Sequence, residues 1–131
     1  MLDTNICIFV MKGLGASLGT RFDAEAERLC ISSVTLAELA YGVEKSAAQA
    51  RNRRALEAFV ARLAVLAFDP AAAGHYGVLR ADLERRGRVI GPYDMMIAAH
   101  AQCLGLTVVT NNRREFDRVP GLVVEDWLAA G

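Results

Sequence analysis

Four short β-like runs separated by helical patterns constrain this chain more than any other feature of it. The runs are LCIS from Leu29, VLAF from Val65, LTVVT from Leu106 and LVV from Leu122. Apolar runs this short, without polar alternation, read as strands covered on both faces. Between them, Leu56, Phe59, Val60 and Leu63 recur at i, i+3, i+4 and i+7, with arginines on the opposite side. Asp69-Pro70 reads as an N-cap followed by proline at the first helical position. The helix it opens runs toward Gly87, with Tyr76, Leu79 and Leu83 as its apolar face. Residues 94–104 are apolar nearly all round and predict a buried helix. The opening MLDTNICIF reads as the end of a further strand, broken at Asp3-Thr4-Asn5. Strands that alternate with helices predict an α/β fold, a mostly parallel central sheet flanked by helices on both faces. No repeat, linker or low-complexity tract intervenes, so residues 1–131 read as one domain.

Composition removes several function classes. The three cysteines, Cys7, Cys30 and Cys103, form no CxxC pair, which excludes a zinc knuckle or a redox motif and leaves buried free thiols as the expectation. No basic leader precedes the first apolar run, and the longest apolar stretch is interrupted by Asp94, His100 and Gln102. No signal peptide or membrane span is therefore expected, and the expected location is the cytoplasm. A net charge of zero argues against indiscriminate coating of nucleic acid. The basic residues are nevertheless almost all arginine, with Lys12 and Lys45 the two lysines. They cluster at Arg51, Arg53 and Arg54, at Arg85, Arg86 and Arg88, and at Arg113, Arg114 and Arg118. Guanidinium groups suit phosphate contacts and base stacking. Any one cluster still reads first as a solvated helix face or loop end.

In a parallel α/β sheet, ligands bind at the carboxyl ends of the strands. Asp3 ends the first strand, Glu38 falls in the first turns of the helix after the second, and Asp94 stands at the mouth of the buried helix. Glu115, with Asn112, leaves the fourth run in VVTNNRREF. Each acid has a structural reading of its own. Asp3 and Asp94 could cap helices, Thr35 and Glu38 fit a capping box, and Glu115 could pair with Arg118. Four acids at one edge are less easily explained separately. Two carboxylates ~5 Å apart repel by roughly 3 kcal/mol at an effective dielectric of 20, so such a cluster implies a cation. Oxygen donors without His or Cys select hard ions, Mg²⁺ or Mn²⁺, and His75 and His100 read as packing or surface residues. With the four acids set aside, fifteen basic residues face eleven acidic ones, a mildly basic exterior suited to RNA.

The segments MLDTNICIF, ISSVTLAELAYGVEKS, GPYDMMIAAHA and VVTNNRREFDRVPGLVVEDW, in this order, resemble the PIN-domain ribonuclease toxins of VapBC toxin–antitoxin modules. The resemblance is to the enteric type, similar to tRNA(fMet)-specific endonucleases, and it spans essentially the whole chain. It implies a PIN fold and a catalytic quartet at Asp3, Glu38, Asp94 and Glu115, supported by Asn112. It also implies that Asp3 and Asp94 hold the metal most directly, that tRNA is cut at the anticodon stem-loop, and that a VapB-like antitoxin is the partner. A homodimer and a toxin–antitoxin hetero-oligomer follow from the same likeness. Only Met1 and Leu2 precede Asp3, where members of the resembled family carry several residues, so either the first strand is short or this start lies downstream of the natural one. Divalent ions supply a nucleophilic water for in-line attack at phosphorus, leaving a 5′-phosphate and a 3′-hydroxyl, with Glu38 or Glu115 to orient or deprotonate it. A hydrolase using Asp3 as nucleophile fits poorly, because Asn5 stands where a second acid is needed and no lysine follows Lys45. A catalytically silent PIN-fold binding module and another metal-dependent phosphohydrolase remain open alternatives.

Overall fold

The computed structural model describes residues 1–128, so the last three residues of the expected 1–131 domain lie outside the described residues. Strands β1 (Cys30–Ser32) and β2 (Ala64–Leu66) pair in parallel, Cys30 opposite Ala64 and Ser32 opposite Leu66. Strands β3 (Val108–Val109) and β4 (Val124–Glu125) also pair in parallel. Residues 1–3 join the two pairs. The Leu2 N–H donates to the Cys30 carbonyl at 2.9 Å, and the Asp3 N–H donates to that of Val109 at 3.0 Å. The resulting order across the molecule is β2, β1, residues 1–3, β3, β4.

The expected first strand is thus reduced to a single parallel bridge between Leu2 and Val109. The cause is Asp3, whose carboxylate accepts the Ile6 N–H at 2.9 Å and turns the chain directly into α1 (Thr4–Met11). The other runs match strands whose ordered pairing is two or three residues long. The last is displaced, with Leu122 and Val123 lying before β4.

Alternate residues along a strand point to opposite faces, and the core divides accordingly. Met1, Cys30 and Val108 enter one hydrophobic cluster, while Leu2, Ile31 and Val109 enter the other. The first cluster is closed by α5 (Pro70–Arg85) and α6 (Pro92–Cys103). The second is closed by α1, α2 (Ala16–Glu25), α3 (Ser33–Glu44) and α4 (Gln49–Val60). Helices therefore cover both faces, and the fold is α/β with parallel strands.

Local chemistry sets the helix ends. Asp69 caps α5 through the Ala72 N–H at 2.9 Å, Pro70 occupies its first turn, and Gly87 leaves it at φ +64°. Leu79 and Leu83 are buried and Tyr76 is half-buried. On α4, Leu56 and Phe59 are buried, but the helix ends at Val60 and Leu63 lies beyond it. Helix α6 is as buried as its sequence predicts, with Ile97, Ala98 and Ala99 inaccessible. Cys7 and Cys30 are buried and Cys103 is half-buried, all three free. Burial, with the Asp3 charge, pushes the Cys7 thiol well above its ordinary pKa. Among the described residues, no helix is long and apolar enough to cross a membrane.

Candidate active site

Asp3 is both a helix cap and a member of the edge cluster. It is 2% exposed. One carboxylate oxygen takes the Ile6 N–H and the other takes the Thr110 hydroxyl. Burial raises its pKa above the ordinary value, Thr110 and the Ile6 N–H lower it, and the charges of Glu38 and Asp126 raise it again.

Glu38 is not part of a capping box. The cap of α3 is Ser32, whose hydroxyl accepts the Val34 N–H at 3.1 Å. Thr35 thus takes the third helical position, and Glu38 lies nearly a turn further on. Its Oε1 accepts from the Thr4 hydroxyl at 2.6 Å, one residue past Asp3. Asp94 is not a cap either, because Gly91 holds that position in α6. Glu115, in the short helix α7 (Arg113–Phe116), does not pair with Arg118, whose guanidinium donates to the Val89 carbonyl at 2.9 Å. Its Oε2 accepts instead from Asn112 Nδ2 at 3.2 Å, so Asn112 and Glu115 belong to one arrangement.

Asp94 and Glu115 are close enough for their carboxyls to share a hydrogen bond when one is protonated. Burial first, then this bond and the charges of Glu115, Asp3 and Glu38, push the Asp94 pKa up to about 7. The four acids therefore sense one another. A polar chain links three of them. Thr110 donates to Asp3 and accepts the Asn112 N–H at 2.8 Å, Asn112 donates to Glu115, and Glu115 meets Asp94.

Sequence reasoning missed Thr4, Thr110, Asn111 and Asp126 as members of this edge. Asp126 follows β4 directly, the position that a ligand-binding strand end occupies in such sheets. Thr110 and Asn111 directly follow β3 and carried the same signal. Asn111 Oδ1 is buried without a hydrogen-bond donor. The histidines lie outside the cluster. His100 Nδ1 is 2.9 Å from Ser32 Oγ and its ring meets Phe68 edge-on, while His75 contacts Gln102. Burial lowers the His100 pKa, partly offset by Asp69. The arginine clusters are largely solvated and several pair locally, Arg53 with Glu44, Arg86 with Asp82 and Arg113 with Asp117.

The donor set fits a hard divalent cation. It consists of carboxylate, hydroxyl and amide oxygens, and a cation could replace the proton that Asp94 and Glu115 otherwise share. Among the described residues, no three acidic, His or Cys side chains stand close enough together to enclose an ion. Mg²⁺ sites commonly take one or two carboxylates and complete their shell with water and phosphate. Acidic oxygens on the carboxyl edge of a parallel sheet describe the class of hydrolases that handle phosphodiesters through such an ion.

Comparison with known proteins narrows that class. The family model described as PIN domain matches residues 1–122. The tRNA(fMet)-specific endonuclease VapC of Shigella flexneri is 57% identical, over 97% of this chain and 96% of its own. Its counterpart from Salmonella typhimurium is 54% identical over the same shares. Among solved structures, DNA-bound VapBC from Salmonella typhimurium matches with a TM-score of 0.93 and 54% identity, covering 97% of this chain and 96% of that one. VapBC-1 from nontypeable Haemophilus influenzae matches with a TM-score of 0.87 and 36% identity, over the same shares. The chain belongs to the PIN-domain family, in its VapC branch, and is a nuclease.

Proposed function

We propose that this nuclease is the toxin of a VapBC pair, acting in the cytoplasm on tRNA, and that it cuts initiator tRNA in the anticodon stem-loop. The reading is carried by the joining of Asp3, Glu38, Asp94 and Glu115 through shared charge at one sheet edge, with Asp94 raised to about 7. Asp3 and Asp94 would hold Mg²⁺, or Mn²⁺, most directly, and a bound ion would supply positive charge for a phosphate oxygen and lower the pKa of a nearby water. Asp3 is preset for its part by the Ile6 N–H and Thr110. Glu38, fixed by Thr4, and Glu115, fixed by Asn112, orient the attacking water or take its proton. The tRNA target rests on the names of the similar endonucleases.

A VapB-like antitoxin completes the reading, in a hetero-oligomer built on a toxin homodimer. A cleft of about 370 Å³ lies between α1, α3 and α4, lined by Ile8, Met11, Leu39 and Val43 and also by Glu38. An apolar tail lying there could bring an arginine to Asp3 or Asp94 and displace the cation, since guanidinium pairs strongly with carboxylate. The test is to incubate the purified chain with total tRNA in Mg²⁺, in EDTA and with added antitoxin, and to sequence the new ends. One dominant tRNA site, present only in Mg²⁺ and suppressed by antitoxin, is expected. Cuts scattered over mRNA and rRNA, or cleavage undiminished by EDTA, would refute the assignment.

A further inference from the structure

A second cavity opens on the same carboxylates, and its walls are of a different kind. It encloses about 590 Å³, and its lining includes Thr4, Glu38 and Asp94 together with Tyr41, Lys45 and Tyr93. The volume falls within the roughly 300–1,000 Å³ range of small-ligand clefts. Tyr41 is 65% exposed and Tyr93 57% exposed, among the most exposed large hydrophobic side chains of the described residues. Aromatic rings left this open beside a hydrophilic site offer flat faces to a ligand rather than packing to the core.

The order of residues along α3 gives the ligand a direction. Glu38, Tyr41 and Lys45 follow at i, i+3 and i+7, on one face of the helix. At 1.5 Å per residue they lie about 4.5 Å and 10.5 Å along its axis, a span comparable with two or three steps of about 3.4 Å in a stacked strand. Carboxylate, aromatic face and ammonium thus succeed one another as phosphate chemistry, base and next phosphate would require. Lys45 Nζ sits over one face of the Tyr41 ring, 5.0 Å from its centroid, which leaves the opposite face for a base and sets a positive charge beyond the acids. Tyr93 stands beside Asp94 at the start of α6 and contributes to the wall shared with α3.

We propose that Tyr41, Tyr93 and Lys45 form a stacking clamp for the unpaired bases next to the cleaved bond, so that the enzyme selects looped over duplex RNA when it binds. The proposal rests on the ribonuclease reading and deepens it. A paired base has no free face to give to a side chain, whereas a loop base can be splayed onto one. Stacking on tyrosine tolerates different bases, so the clamp selects for single-strandedness and leaves sequence choice to other contacts.

The experiment uses the full chain and a stem-loop RNA carrying 2-aminopurine at each loop position in turn, with Ca²⁺ replacing Mg²⁺ for binding and Mg²⁺ for cleavage. Fluorescence should be quenched at the one or two positions flanking the cut. Tyr41→Ala or Tyr93→Ala should abolish that quenching and raise KM by about tenfold, while Tyr41→Phe and Tyr93→Phe keep both near wild type. Lys45→Ala should lower the salt dependence of binding by about one phosphate contact. An abasic nucleotide at the quenched position should weaken binding to wild type and leave the alanine variants unaffected. Alanine variants that quench and cleave like wild type would overturn the clamp. So would variants with unchanged RNA kinetics that escape inhibition by the antitoxin, because the rings would then serve a protein partner. Quenching without cleavage by wild type would sink the ribonuclease reading and leave the clamp standing, whereas cleavage without quenching would do the reverse.

Discussion

Both oxygens of Asp3 are met by donors, the Ile6 N–H and the Thr110 hydroxyl, whereas Asp94 is met by another carboxyl, that of Glu115. The two acids serve one edge and are held by opposite means. Asp3 is fixed by hydrogen bonds that also start a helix and brace the loop after β3. Asp94 is held by its helix in a place its charge resists, which shows in a pKa near 7. One half of the site is positioned before any ion arrives. The other is a like-charge contact that an ion relieves.

The largest effect that tests this contrast is on activity. Asp94→Asn and Asp3→Ala should each lower cleavage by roughly 100-fold or more, the scale seen when a preset electrostatic group is removed. EDTA should do the same to wild type. An Asp94→Asn enzyme with near-normal turnover in Mg²⁺ would show that the contact with Glu115 is incidental to catalysis.

Stability should separate the two halves by sign. In EDTA at pH 8, Asp94→Asn should melt higher by ~1–2 kcal/mol, or roughly 3–8 °C, a gain discounted because the carboxyl is only partly buried. Mg²⁺ should then raise the melting temperature of wild type and that of the variant much less. A helix cap predicts no gain, since Asn caps as well as Asp. A variant that melts no higher than wild type and responds equally to Mg²⁺ would remove Asp94 from a shared pocket.

The same contrast has a pH signature, about 1 kcal/mol once the larger nominal value is discounted for the carboxyl's partial exposure. The folded pKa of Asp94 stands near 7 against an ordinary 3.8. Its neutral form is thus the favoured one, and its contribution is fully present below about pH 4 and lost as the pH rises toward 7. Wild type without metal should lose stability across that interval. Asp94→Asn should lose less, with the remainder owed to Asp3, whose pKa is also raised. Identical pH profiles for the two proteins, measured by chemical denaturation in EDTA, would contradict the assignment.

Thr110→Val probes the bonded half and should have the smallest effect, in the opposite direction. It removes the donor to Asp3 and the acceptor for the Asn112 N–H, so it should destabilise by about 1 kcal/mol. Its kcat should fall while KM changes little. A Thr110→Val protein as stable as wild type would mean that water replaces the hydroxyl and that Asp3 is not preset.

The parts of this molecule legible in its sequence are those governed by local rules. Asp69-Pro70 names a helix start through a cap and a fixed φ, and residues 94–104 name a buried helix because few polar side chains interrupt them. The placing of Asp3, Glu38, Asp94 and Glu115 at one edge followed from strand direction. What each acid touches did not. The Thr35–Glu38 spacing matches a capping box, yet Ser32 begins the helix three residues earlier, and Ser32 is set by the strand it ends. Glu115 and Arg118 have a pairing interval, but a nearer local partner, Asn112, takes Glu115, and the distant Val89 carbonyl takes Arg118. Asp126 had a strand-end signal, but its approach to Asp3 depends on β4 lying beside β3, a contact that periodicity does not encode.

The central place of residues 1–3 has a consequence for how the protein is made. Asp3 and Thr110 are 107 residues apart in the chain, and the pairing of residues 1–3 with β3 spans the same interval. A domain emerges from the ribosome N-terminal end first, so Asp3 waits without its Thr110 partner until the chain has been made through β3. Until β3 is released, Leu2 and Asp3 lack one strand neighbour, and Glu115 has not been brought opposite Asp94. Long-range pairing of this kind forms late because loop closure precedes its reward. A ribosome carrying a copy not yet extended through β3 and α7 therefore displays most of the acids of a nuclease on a half-built edge, and the cutting surface is completed only when those elements emerge.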